Sequence, residues 1–164
     1  MSEGRKGLDN RGVTLIELVV VMAMIGILTG ISFSAFQYIK FGDTKKCAAK
    51  IEDELDRLLV ETMSKKEKRY LYLFKTANGY YVVLNEDRER ENLTEKEAVK
   101  IAGNSIVIEK DGKELREDNM IKIGYQKENG AFSQEAYCNQ IEIKGAGIYK
   151  IHLVKDTGFH YLEQ

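Results

Sequence analysis

The sequence predicts an α+β fold in which one long N-terminal helix, with a membrane half and an amphipathic half, packs on a small antiparallel β-sheet head. Three observations predict it. An apolar run with one charge begins at Val13, apolar residues then recur at three- and four-residue spacing as far as Met63, and the remainder breaks into short β-rich runs separated by turn residues. Proline is absent, so the usual helix breaker does not separate the first pattern from the second.

Length and charge narrow the function classes. With the apolar segment set aside, a chain of 164 residues holds one small globular domain. Lys and Arg number 25 against 26 Asp and Glu, and a formal charge of -1 gives no general attraction to nucleic acid or to an anionic membrane surface. The two cysteines, Cys47 and Cys138, match no paired-cysteine metal or redox spacing. Neither a metal nor another cofactor is expected.

The front of the chain is divided sharply. Residues 1–12 are polar, with Arg5, Lys6 and Arg11 outweighing Glu3 and Asp9. The stretch VTLIELVVVMAMIGILTGISFSAF follows over 13–36. As a helix it is long enough to cross a hydrocarbon core of roughly 30 Å. The early basic residues favour a cytoplasmic leader. A secretory signal carries its small-residue cleavage site after the apolar run, whereas Gly12 lies before it. Cleavage at Gly12 leaves the span attached to the finished chain.

Gly12 followed by Val13-Thr14-Leu15-Ile16-Glu17-Leu18, and then Met22-Ala23-Met24-Ile25-Gly26-Ile27-Leu28, resembles the class III signal of type IV pilins and type II secretion pseudopilins. The resemblance implies that a membrane aspartic peptidase cuts between Gly12 and Val13 and methylates the new amino terminus at Val13. It also implies a role for Glu17, the fifth residue of the mature chain, in neutralising the amino terminus of a neighbouring subunit. A carboxylate at the centre of a lipid-facing helix costs roughly 2.5 to 3.5 kcal/mol, which favours such a pairing over a side chain that merely snorkels to the interface. Two positions depart from the family pattern. Val13 stands where phenylalanine is common, and Ser34 where many members have a proline, which leaves major or minor status open.

Beyond the span, Cys47, Ala48, Ile51, Leu55, Leu58, Leu59 and Met63 alternate with charged residues as one face of an amphipathic helix, and a basic cluster over 65–69 suits its negative pole. Tyr70 to Lys75 and Tyr80 to Leu84 flank Asn78-Gly79, a hairpin signal. Thr94 and Glu97 have capping-box spacing for a short helix through Ala102. Runs starting at Ser105, Met120, Gln140, Tyr149 and Phe159 read as strands of antiparallel meanders whose alternate apolar residues face the helix stripe. The chain thus divides into a cleaved cytoplasmic leader over 1–12, a transmembrane and filament-core helix over 13–41, an amphipathic continuation over 42–68 and a β-rich head over 69–164.

Cys47 shares the helix stripe, so a bridge to Cys138 and a pair of buried thiols both stay open. A bridge closes a loop of about 90 residues and contributes about 4 to 5 kcal/mol on the chain-entropy model. His152 and His160 lie in no metal or nucleophile motif, and the run from Glu86 to Glu91 alternates in sign as a solvated loop does. No catalytic constellation emerges, so the chain is not expected to be an enzyme. The expected function is that of a structural subunit of a type IV pilus or type II secretion-like pseudopilus. It is held in the membrane as a single pass with its head outside, and becomes part of a surface filament after assembly. The alternative is a minor tip pilin whose head binds DNA, a secreted protein or a surface. The partners implied by the resemblance are other pilin subunits, the peptidase and methylase, and an assembly platform with its ATPase.

Overall fold

The structure, a computed structural model, describes residues 14–64 and 68–164, with 30–42 as helix backbone alone. The chain divides into two units, 1–37 and 38–164. A single α-helix, α1, covers Leu15–Ser64 without a break. Thr14 starts it. The Thr14 hydroxyl oxygen accepts the Glu17 amide at 3.3 Å and its carbonyl accepts the Leu18 amide at 3.1 Å, which satisfies donors that a helix start leaves open. At the other end the Ser64 hydroxyl donates to the Glu61 carbonyl at 3.4 Å.

In the second unit α1 turns one stripe inward. Cys47, Ala48, Ile51, Leu55 and Leu58 are wholly buried, and Thr44 and Thr62 extend the stripe at either end. Met63, expected on this stripe, is instead 51% exposed, because the 3.6-residue repeat brings Thr62 to the inner face and carries Met63 past it.

Among the described residues nine strands follow: β1 Tyr70–Thr76, β2 Gly79–Asn85, β3 Val99–Ala102, β4 Val107–Lys110, β5 Lys113–Glu114, β6 Met120–Ile123, β7 Gln140–Lys144, β8 Ile148–Val154 and β9 Phe159–Glu163. They form two antiparallel sheets where one was expected, with orders β3-β2-β1-β6 and β5-β4-β7-β8-β9. Both put their inner faces into one core with the helix stripe: Leu71, Leu73 and Ile121 from the first sheet, Ile108, Ile141 and Ile151 from the second. Alternation fixes which residues face the helix. It does not say which strand is the neighbour, and the pairings of β1 with β6 and of β4 with β7 separate the sheets.

The β1–β2 hairpin closes one residue earlier than expected. Thr76 pairs with Gly79, which leaves Ala77 and Asn78 as the loop, and the Asn78 amide donates to the Thr76 hydroxyl at 3.1 Å. Gly79 has φ 129, and a Cβ there would lie 2.3 Å from the Ala102 carbonyl oxygen, so the position admits only glycine. The short helix expected through Ala102 is absent. Thr94 precedes a single 3-10 turn over Glu95–Glu97 and makes no side-chain cap bond, and β3 follows directly. The β-branched Val99 pairs with Val82 of β2 instead, and Ile101 falls at the register shift between Tyr80 and Tyr81.

The segment from Glu86 to Ala98 is a strap across the second face of the first sheet. Tyr70, Tyr72, Phe74 and Tyr81 are buried beneath it with Leu93 and Ala136. The alternating charges of this segment are therefore not simply solvated. Arg90 donates to the Lys75 carbonyl at 2.7 Å and its guanidinium lies 4.8 Å from the Phe74 ring centre. The Arg88 amide donates to the Tyr72 hydroxyl at 2.8 Å, and the Arg88 side chain pairs with Glu97 at 2.9 Å. Lys122 donates to Asp87, while Asn78 and Tyr81 donate to Glu95 at 3.2 and 3.1 Å.

These anchors make the strap acid-sensitive. The Lys122 ammonium holds the Asp87 carboxyl below its ordinary value of 3.8, and hydrogen bonds from Thr76 and then Asn78 hold Glu95 below 4.5. Between the depressed and ordinary values the unfolded chain binds more protons than the folded one, so the contribution is present above that interval and is lost as pH falls through it. The protection of the 86–98 amides relative to their intrinsic exchange rates, measured in the full chain, is expected to fall on acidification below about pH 4 before that of the core strands. Simultaneous opening of strap and core would contradict this.

Candidate functional site

The first candidate site is the start of α1. Gly12 and Val13, the expected cleavage and methylation positions, lie outside the described residues. Glu17 sits in the first turn of α1, where the positive end of the helix dipole favours an acid. Around it the helix is apolar on every side. Leu15, Ile16, Leu18, Val19, Val20, Val21, Met22, Met24, Ile25, Ile27 and Leu28 are all exposed, and Glu17 is the only charged residue among them. A helix apolar all round is not a water-facing element and calls for lipid or other helices as its surroundings. Among the described residues no helix is long and apolar enough to cross a membrane. The described side chains of this run end at Thr29, and the rest of the 13–36 segment bears on that expectation through its sequence alone. The Thr29 hydroxyl donates to the Ile25 carbonyl at 2.7 Å, so it adds no unsatisfied polar group to this surface.

Thr14 was not among the expected functional residues, although Thr14-Leu15-Ile16-Glu17 has the spacing of a capping box. Its hydroxyl accepts the backbone amide of Glu17, which is one half of that box.

Cys47 on α1 and Cys138 before β7 are both buried free thiols in the same core. Burial pushes each thiol up to about 12, so neither forms a thiolate at neutral pH. A thiol-alkylating reagent is expected to leave both unlabelled in the native chain and to label both after denaturation without reductant. Labelling only after reduction would demonstrate a bridge.

His152 and His160 occupy opposite faces of the β8–β9 hairpin. His152 bonds Glu163 at 2.7 Å and stacks on Tyr161. His160 lies 3.3 Å from the buried Tyr125 hydroxyl and 3.4 Å from Asp56 of α1. These are structural contacts between elements, and among the described residues no group of three His, Cys, Asp or Glu side chains could hold a metal ion.

The prokaryotic N-terminal methylation motif matches residues 8–33. No curated protein and no solved structure matches the chain.

Proposed function

We propose that this chain, whose residues 8–33 carry the class III signal of type IV pilins and pseudopilins, is a structural subunit stored in the membrane and assembled into an extracytoplasmic filament. A prepilin peptidase cuts between Gly12 and Val13 at the cytoplasmic face, and the amino group of Val13 is methylated. The 13–36 segment remains as the membrane span until assembly, when it exchanges lipid for the same segments of neighbouring copies. Glu17 then meets the amino terminus of an adjacent subunit. Motive force comes from outside the chain, through an assembly platform and its ATPase, and the chain itself has a structural and not a catalytic role.

The observation that carries this reading is the coincidence of the motif with an exposed apolar helix surface over 15–28, in which Glu17 is the one charged residue. Ordinary membrane anchors need no acid there, and a partner of opposite charge offsets its cost. The test is the intact mass of the native protein, which is expected to correspond to a chain beginning at methylated Val13. Gly12→Leu is expected to abolish this processing and leave the full-length chain in the membrane. A native chain that retains residues 1–12, or a Gly12→Leu chain still cut at Val13, would overturn the assignment.

A further inference from the structure

Among the four edge strands of the two sheets, β3 and β9 differ in character. β3 ends the first sheet and β9 ends the second. Each borders a cleft against α1. The cleft beside β3 is lined by Lys46, Lys50 and Lys100, with Asp43 as its one carboxylate. The cleft at the start of β9 is lined by Glu52 and Asp56, together with Leu59, Phe159 and His160. On the 3.6-residue repeat, Lys46 and Lys50 fall on one flank of the buried stripe and Glu52 and Asp56 on the other.

Each edge also exposes apolar groups beside its charge. On the acidic side Phe159 and Tyr161 are 60% and 44% exposed, with ring centres 5.9 Å apart. On the basic side Val99 is 52% exposed. β9 reads FHYLE, without the proline or lysine by which edge strands are commonly kept apart.

We propose that the β9 edge with Glu52 and Asp56 of one copy receives the β3 edge with Lys46, Lys50 and Lys100 of the next. The inference rests on the filament reading given above and names the head surfaces that filament would use. Charge complementarity selects a second copy as the occupant, since the chain supplies both halves. Because the halves are different patches on opposite flanks of one helix, the contact does not close on itself as a twofold dimer does, and it propagates from copy to copy. Lys46 and Lys50 lie six residues before Glu52 and Asp56, so copies with parallel helices are offset by about 9 Å along the axis per contact.

The test uses the full-length chain with Val99→Cys and Phe159→Cys together, treated with a bismaleimide crosslinker in the cells that assemble it. A ladder of dimers, trimers and longer species is expected. Neither single variant should form a ladder, and a mixture of the two single variants should stop at dimers. The parent chain controls for Cys47 and Cys138. Adding Lys46→Glu and Lys50→Glu is expected to reduce the ladder at least about tenfold through like-charge contact. Further adding Glu52→Lys and Asp56→Lys restores the opposite pairing and should restore the ladder, which also shows that the reversed chains fold.

Dimers from either single variant beyond those of the parent chain, crosslinks from one edge to a different protein, or a ladder indifferent to the charge reversals would each overturn the contact. Leader cleavage is followed in the same samples. Cleavage and filaments without a ladder remove the edge contact and leave the filament reading standing. A ladder without cleavage does the reverse.

Discussion

Chains carrying Glu17→Ala are expected in the membrane at parental amounts and to be depleted in the filament fraction by more than about tenfold. Alanine is the best helix former, and the Thr14 hydroxyl bonds the backbone amide at position 17 whatever its side chain, so the start of α1 survives the change. Loss of the carboxylate also makes the segment more apolar, which favours insertion. What disappears, on the proposed pairing, is the counter-charge for the amino terminus of a neighbouring copy. An ammonium left unpaired in apolar surroundings costs several kcal/mol, well above the roughly 1.4 kcal/mol that corresponds to tenfold. Glu17→Gln should fall with Glu17→Ala, because the amide keeps the size and loses the charge. Immunoblots of membranes and sheared filaments decide the matter, and equal incorporation of both variants would refute the pairing.

The largest loss of head stability is expected from Gly158→Val. Gly158 has φ 69, and a Cβ there would lie 1.8 Å from the Gly130 carbonyl oxygen and 3.3 Å from the Tyr125 ring. Two penalties add: the left-handed backbone, and a clash with backbone that cannot swing aside as a side chain would. Relief requires the β8–β9 turn to leave the 130 loop, which breaks the 3.0 Å bond from the Phe132 amide to the Lys155 carbonyl. The expected cost is about 3 kcal/mol or more. Gly112→Ala separates the terms, because Gly112 has φ 78 with open space around it and should cost only about 1 to 2 kcal/mol. Thermal unfolding of the full chain in detergent measures both, and comparable shifts for the two variants would contradict the steric account.

The sequence motif and the structure meet unevenly. The long helix, the β1–β2 hairpin and strands β7 to β9 were legible, since their periodicities are strong and their turn residues sit at the boundaries. The strap over 86–98 was not anticipated. Its seat left a trace in Tyr70-Leu71-Tyr72-Leu73-Phe74, apolar in both phases, which is the pattern of a strand covered on both faces. What covers such a strand is decided far along the chain, by Leu93 and Ala136, and no local pattern encodes that. Thr94 misled because capping-box spacing permits a helix start without forcing one. The Glu97 that should complete the box pairs with Arg88 instead. At the front of the chain, Glu17 stood out by its chemistry alone, whereas Thr14 was hidden inside a longer motif.

The stripe from Cys47 to Leu58 has a practical consequence for anyone preparing the head without residues 13–36. These side chains lie between both sheets, so a fragment begun at β1 would leave two layers facing water with nothing between them. A fragment that keeps this stripe whole must begin before Thr44.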